Sequence, residues 1–166
     1  MKTFKGKPIT LLGDTKKVGD IAPDFKALNT KNEFKSLSDF KSKYIVLNVV
    51  PSLDTTVCDV QARTVNSELA EREDVLVITI SNDLPTAQAR WCGNAGLNNV
   101  ITLSDHIDLD FAHKYGTLIK ELRLQARSVF VINEQREILY LEYVDEMSQH
   151  LNFDELIHFI KQLPKE

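Results

Sequence analysis

Two apolar runs with a helix-periodic stretch between them constrain the fold more than any other feature of the chain. Residues 44–50 and 75–80 are almost continuously apolar and rich in β-branched side chains, as is typical of parallel strands covered on both faces. Apolar residues between these runs recur at a spacing near 3.6, which predicts a helix with one buried stripe. That stripe consists of Val57, Cys58, Ala62, Val65 and Leu69. Strand, helix and strand in this order predict a βαβ unit.

Weaker patterns on both sides complete the predicted fold. Residues 2–5 and 9–12 indicate a hairpin around residues 6–8, and residues 37–40 indicate one helical turn. Further helices are predicted over 85–92, ended by Gly93, over 107–115, ended by Gly116, and over 153–163. Further strands are predicted over 100–103, 129–132 and 138–144, the last two as an antiparallel hairpin after a loop at 98–99. This order predicts an α/β fold, a thioredoxin-like α/β sandwich with a central mixed sheet and an N-terminal β-hairpin extension, formed by one domain over residues 1–166.

Composition excludes several classes of partner. The chain has 166 residues, 43% hydrophobic and 27% charged, which is ordinary for a soluble globular protein. Its net charge of −4 provides no basic field, so we expect no nucleic acid partner. The N-terminus has lysines but no apolar segment after them, and no apolar run approaches the length of a membrane span. We therefore expect a cytoplasmic protein with no membrane partner.

Cys58 lies where the first predicted strand gives way to the predicted helix. Unpaired backbone N–H groups and a partial positive charge at a helix N-terminus favour a thiolate, the nucleophilic form of cysteine. If Thr55 is the N-cap residue, Cys58 is the third residue of the helix and its sulfur can reach these groups. The alternative is a cysteine that only packs as a small hydrophobe. The neighbouring Thr and Asp residues favour a reactive thiol.

Fast chemistry at Cys58 needs a cation as well as a helix start. A helix N-terminus and a nearby cation together raise the thiolate fraction of a thiol at pH 7 by about thirtyfold, which is small beside enzymatic rate enhancements. An arginine can stabilise both the thiolate and a leaving oxygen. Arg63 is about 140° around the helix from Cys58 and points away. Arg127 comes close if strand 129–132 neighbours the Cys58 strand, and is otherwise a surface charge at a strand edge.

Cys92 occupies a different electrostatic position. It lies in the last turn of its predicted helix, where the negative end of the dipole disfavours a thiolate, so the two sulfurs are predicted to be unequal. Two cysteines without a CxxC pair or a histidine at ligand spacing do not predict a metal site. Two roles remain open for this pair of cysteines at this point, a purely structural role as buried side chains and a role in redox chemistry.

Residues 51–58, PSLDTTVC, fit the PxxxTxxC motif, and through it the chain resembles the peroxiredoxins. It is most similar to the atypical two-cysteine peroxiredoxins of the bacterial thiol peroxidase branch. The likeness extends over nearly the whole length. Besides the N-terminal hairpin, it is carried by the segments APDF at 22–25, LDTTVC at 53–58, RWCG at 90–93, GLNNV at 96–100 and ARSVFVI at 126–132.

This resemblance implies a role for each residue of the site. Cys58 would be the peroxidatic cysteine, Thr55 would hydrogen-bond to it and orient the peroxide, and Arg127 would be the active-site arginine. Pro51 would shield the pocket, and Cys92 would be the resolving cysteine of the same chain. The resemblance also implies hydrogen peroxide and organic hydroperoxides as substrates, thioredoxin as the reductant, a homodimer, and no cofactor.

The implied disulfide joins cysteines that are 34 positions apart on different predicted helices, so we expect rearrangement when it forms. A short helix near Cys92 should fray easily, which predicts that residues 85–97 loosen on oxidation and that Trp91 reports this by fluorescence. A protein dithiol-disulfide oxidoreductase is an alternative, weakened because Cys58 has no CxxC partner. A non-catalytic interaction or holdase protein on the same scaffold is another.

Overall fold

The computed structural model describes residues 1–69, 71–95 and 100–165. For residues 94 and 95 it describes only the backbone. Its strands are β1 (Thr3–Phe4), β2 (Lys7–Pro8), β3 (Leu11–Leu12), β4 (Lys26–Leu28), β5 (Phe34–Ser36), β6 (Tyr44–Val49), β7 (Val75–Ser81), β8 (Ile101–Ser104), β9 (Leu118–Ile119), β10 (Leu124–Gln125), β11 (Ser128–Asn133) and β12 (Ile138–Tyr143). Its helices are α1 (Thr56–Leu69), α2 (Pro85–Ala95), α3 (Asp110–Tyr115) and α4 (Phe153–Lys161), with a 3₁₀ turn at Leu37–Asp39. No helix in these described ranges is long and apolar enough to cross a bilayer.

The central sheet has seven strands in the order β12-β11-β6-β7-β8-β4-β5. Strands β6, β7 and β8 are parallel to one another, whereas β11 runs antiparallel to β6. Two smaller sheets pair β1 with β2 and β10 with β9 and β3. The mixed α/β architecture predicted from the sequence is confirmed.

Side chains alternate between the two faces along each strand, and a core cluster covers each face of the central sheet. Along β6, Ile45 and Leu47 belong to the core cluster on the α3 side, which includes Phe111. Tyr44 and Val46 belong to the cluster on the side of α1 and α4. A third, smaller cluster lies at the carboxyl end of β6, where the chain enters α1. It contains Val50, Leu53, Cys58, Ala62 and Trp91.

Three sequence predictions differ from the structure. Gly93 does not end its helix, because α2 continues through residue 95, whereas Gly116 ends α3 with a left-handed backbone at φ 69°. The N-terminal hairpin is shorter than predicted, since Leu11–Leu12 pair with Leu118–Ile119 instead of with the first strand. Helix α3 begins three residues later than predicted. The loop expected at residues 98–99 lies outside the described residues.

The strands that the sequence analysis missed are the short ones. Strands β4, β5, β9 and β10 contain only two or three residues each, too few to show an alternating pattern. Strands β4 and β9 also pair with segments distant in the chain, β4 with β8 and β9 with β3.

Candidate active site

Cys58 is the third residue of α1 and is fully buried. The carbonyl of Thr55 accepts the first helical hydrogen bond, from the N–H of Asp59, which places Thr55 at the N-cap position that the sequence predicted. The N–H of Ser52 points at the Cys58 Sγ from 3.5 Å. The sulfur thus lies at the start of a helix and next to a backbone N–H group.

Arg127 reaches this sulfur from the neighbouring strand. Because β11 is antiparallel to β6, with Ser128 opposite Val49, the residue before β11 lies beside the carboxyl end of β6. The Arg127 Nη2 donates to Cys58 Sγ over 3.1 Å. Its side chain is almost fully buried, so the alternative of a surface charge at a strand edge is wrong for Arg127.

Neutral groups hold the rest of the Arg127 guanidinium. Nη1 donates to Gln61 Oε1 and Nε donates to the Met147 carbonyl, each over 2.9 Å. Among residues 1–69, 71–95 and 100–165, no carboxylate forms an ion pair with Arg127. A buried guanidinium without a counter-charge is costly. The group beside it that can become an anion is the Cys58 thiol.

Two polar residues fix the position of Gln61 inside the core. Gln61 Nε2 donates to Asn48 Oδ1 over 2.6 Å and to the Val49 carbonyl over 3.2 Å. Asn48 in turn donates to Thr79 on β7 over 3.3 Å. These side chains are all fully buried, so the network determines which way the Gln61 oxygen faces.

The N-terminal hairpin fixes Met147, the other residue that holds Arg127. The Met147 N–H donates to the Thr3 carbonyl over 2.8 Å, and its sulfur accepts from the Arg127 N–H over 3.2 Å. The neighbouring Glu146 carboxylate accepts from Thr3 and from the Gly6 N–H. The hairpin that the sequence analysis treated as an extension therefore supports the arginine.

Asp83 holds the segment that precedes Cys58. Its carboxylate accepts from the Ser52 hydroxyl over 2.7 Å, from the Leu53 N–H over 2.8 Å and from the Ser81 hydroxyl over 2.7 Å. Residues 52 and 53 are therefore attached to the carboxyl end of β7.

Thr55 and Pro51 do not contact Cys58 through hydrogen bonds in the described residues. The Thr55 hydroxyl donates to the Ser52 carbonyl over 3.0 Å, so the predicted hydrogen bond from Thr55 to Cys58 is not made here. A threonine hydroxyl commonly forms such a local hydrogen bond with the backbone carbonyl three residues earlier. Thr55 is exposed, and Pro51 is buried immediately before Ser52.

Cys92 lies on α2, half buried against the small cluster that contains Cys58. The two thiols are not bonded to each other. Burial raises the pKa of the Cys92 thiol, and a contact with the Thr102 hydroxyl at 4.0 Å lowers it by less. The direction agrees with the sequence prediction, but burial and not the helix dipole is its main cause.

Sequence reasoning missed Gln61, Met147 and Asp83. A signal existed for Gln61, which falls one helical turn after Cys58 on the buried stripe, and for its partner Asn48, the polar residue inside an apolar run. Met147 carried no sequence signal, because its backbone carbonyl accepts the hydrogen bond from the Arg127 side chain and every residue has such a carbonyl.

The chain is similar to known proteins over nearly its whole length. The Redoxin family model matches residues 17–157. A thiol peroxidase of Bacillus subtilis is 53% identical over 163 residues, covering 98% of both chains, and one of Oceanobacillus iheyensis is 49% identical, covering 96% of this chain and 98% of its own. The crystal structure of a peroxiredoxin-like protein from Aquifex aeolicus superposes with a TM-score of 0.89 at 35% identity, covering 97% of this chain and 95% of that one.

Proposed function

The chain belongs to the Redoxin family and is a thiol-dependent peroxidase of the peroxiredoxin type, and from this premise we propose that Cys58 attacks the peroxide. The Cys58 thiolate bonds to one peroxide oxygen and the O–O bond breaks. Sulfur is oxidised by two electrons to a sulfenic acid. The other oxygen leaves with the bonding pair, takes a proton from solvent and departs as water or an alcohol.

The observation that carries the proposal is the buried Arg127 fork, which has no carboxylate partner in the part of the chain that the structure describes. A guanidinium held at 3.1 Å from Cys58 Sγ stabilises the thiolate before the reaction. It also stabilises the negative charge that develops on the leaving oxygen, and it cannot give up its own proton. Gln61 and Met147 keep the fork in place without neutralising it.

Cys92 then resolves the sulfenic acid. Its sulfur attacks the Cys58 sulfur, an S–S bond forms, the S–O bond breaks, and the hydroxyl leaves as water with the Cys92 proton. Because burial raises the pKa of Cys92, this thiol stays protonated and does not compete with Cys58 for peroxide. Thioredoxin as reductant would return both thiols by passing two electrons and two protons from its own dithiol.

Thr55 and Pro51 complete the proposed site. Rotation about one side-chain bond releases the Thr55 hydroxyl from the Ser52 carbonyl. The released hydroxyl then orients the peroxide. Pro51 lacks an N–H and shields the sulfur from water without offering a competing donor. Since Cys58 is fully buried, peroxide enters only when the residues over the sulfur open transiently.

The remaining parts of the proposal rest on the family. They are hydrogen peroxide and organic hydroperoxides as substrates, a single domain over residues 1–166, a homodimer, and a cytoplasmic location.

Peroxide turnover coupled to thioredoxin and its reductase tests the proposal, with Cys58→Ser and Cys92→Ser as matched single-atom variants. We expect Cys58→Ser to abolish turnover. Cys92→Ser should still consume one equivalent of peroxide but stop turning over with thioredoxin. Full activity in Cys58→Ser would refute the mechanism. Full thioredoxin-dependent activity in Cys92→Ser would show that another thiol resolves the sulfenic acid.

A further inference from the structure

A hydrogen bond joins the two helices next to the two cysteines. The Trp91 indole Nε1 donates to Asp59 Oδ1 over 2.6 Å. Asp59 follows Cys58 on α1, and Trp91 precedes Cys92 on α2. The Trp91 side chain is 8% exposed and belongs to the small cluster that contains Cys58. The bond therefore ties the helix of one sulfur to the helix of the other.

Asp59 accepts this bond as a carboxylate. Burial raises the pKa of Asp59, but hydrogen bonds from Arg63 and Trp91 outweigh burial, and the pKa is lowered. Arg63 is the charged side chain that pairs with Asp59, through Nε at 2.9 Å, one turn along α1. A hydrogen bond to an ionised acceptor is stronger than one between neutral groups.

The two sulfurs are held by different strands in this arrangement. Cys58 Sγ is bound by Arg127, which precedes β11, whereas Cys92 Sγ lies 4.0 Å from Thr102 on β8. Strands β6 and β7 separate β11 from β8 in the sheet. The two thiols are not bonded in this arrangement, so disulfide formation requires α1 or α2 to move until the sulfurs are within bonding distance.

The first half of α2 has a separate attachment that is independent of Trp91. Gln88 is fully buried, and its Nε2 donates to Ser81 Oγ over 3.0 Å and to the Leu103 carbonyl over 2.9 Å. Gln88 thus holds the first half of α2 independently of the bond between Trp91 and Asp59.

We propose that the Asp59–Trp91 hydrogen bond is a latch that holds Cys92 away from oxidised Cys58, so that Asp59 and Trp91 set the rate of disulfide formation. They are positioning residues, because neither touches the peroxide or a reacting sulfur. The inference rests on the proposed function of Cys92.

The latch would decide between two fates of the Cys58 sulfenic acid. Attack by the Cys92 thiol gives the disulfide and water. A second peroxide instead oxidises the sulfenic acid by two further electrons to a sulfinic acid, releasing water or an alcohol, and thiols do not reverse that step. A slower opening of α2 gives more sulfinic acid at a given peroxide concentration.

The test compares four single variants and one double variant of the full chain. Asp59→Ala and Trp91→Phe remove the bond, whereas Asp59→Asn keeps an oxygen that can accept from the indole. Arg63→Ala is the matched control, since it removes the ion pair and leaves the latch. After one equivalent of hydrogen peroxide, acid-quenched samples are analysed by intact mass for sulfenic acid and disulfide. A peroxide titration under thioredoxin turnover gives the concentration that converts half of Cys58 to sulfinic acid.

We expect Asp59→Ala and Trp91→Phe to form the disulfide about thirtyfold faster, the factor for one hydrogen bond to a charged group, and to need more peroxide for sulfinic acid formation. Asp59→Asn should fall between the unmodified protein and Asp59→Ala, because its neutral oxygen accepts a weaker hydrogen bond than a carboxylate does. Arg63→Ala should stay near the unmodified rate, and the double variant Asp59→Ala with Trp91→Phe should be no faster than either single variant. Unchanged or slower disulfide formation in both single variants would overturn the latch alone, as would an Asp59→Asn variant as fast as Asp59→Ala. Absence of an intramolecular disulfide in the unmodified protein would instead overturn the proposed function, and the latch with it.

Discussion

Replacement of Arg127 by methionine is the most direct test of how this site activates its thiol. Methionine keeps a long, flexible side chain but removes the charge and all donors. The Cys58 sulfur then loses its cation, while Gln61 Oε1 and the Met147 carbonyl lose a donor. Removing an unpaired buried charge offsets part of that loss, so we expect the protein to remain folded.

The magnitude follows from the geometry. A unit charge 3.1 Å from a thiolate interacts by about 5 kcal/mol at an effective dielectric constant of 20, which is an upper bound. A hydrogen bond to a charged group contributes a net ~2 kcal/mol, or about thirtyfold in the reactivity of the thiolate. Loss of a donor to a developing oxyanion costs a further factor of about 10². We therefore expect alkylation at pH 7 to slow about thirtyfold and reaction with peroxide about 3 × 10³-fold.

The assay measures both rates on the same protein. Iodoacetamide alkylation of Cys58 depends on the thiolate but has no peroxide oxygen to stabilise, whereas the second-order reaction with hydrogen peroxide depends on both. Arg63→Met is the matched control, since Arg63 is an exposed arginine on α1. Arg127→Lys keeps the charge but cannot reach three acceptors at once, and should fall between the unmodified protein and Arg127→Met. Thermal unfolding checks that each variant is folded.

Two results would refute the reasoning. A peroxide rate within about threefold of the unmodified protein would show that the buried fork is not needed. Equal losses in alkylation and peroxide reaction would show that Arg127 acts on the thiolate and leaves the departing oxygen unassisted.

Three further predictions concern the groups around the site. Asp83→Ala should lower the free energy of unfolding by about 2 kcal/mol and slow the peroxide reaction several-fold, because the Leu53 N–H loses its acceptor. Asp83→Asn should keep most of the stability and most of the peroxide rate. Urea unfolding measures the stability, and stopped-flow kinetics measure the rate. Hydrogen bonds, first from Ser148, lower the pKa of Glu146 to about 2, so its contribution to stability should be complete above about pH 4.5 and be lost as pH falls toward 2. Glu146→Gln should show a weaker acid dependence in urea unfolding between pH 2 and 5, and an equal dependence would contradict the assignment. Burial raises the pKa of Asp105 to about 6, so the folded protein binds this proton more tightly than the unfolded chain and stability should fall as pH rises from about 4 to 6. Asp105→Asn should remove that part of the pH profile.

The local parts of the fold and of the site could be predicted from the sequence. The apolar runs that form β6 and β7, the helix between them and the position of Cys58 at its third residue all follow from patterns within about 40 neighbouring residues. The left-handed end of α3 at Gly116 was equally local. Gly93 shows the limit of such rules, because glycine ends a helix only where the chain must turn, and at Gly93 it does not.

The tertiary structure decided what surrounds the sulfur. Arg127 reaches Cys58 because β11 pairs antiparallel with β6 in one register, and a shift by one residue would turn its side chain to the other face of the sheet. Gln61 and Met147 hold the fork only because α1 and the N-terminal hairpin pack beside it. Local sequence alone predicts which thiol stands at a helix start, since that depends on near neighbours. Which charge meets that thiol, and what Trp91 binds, depended on strand order and register, which long-range packing fixes and local periodicity does not encode.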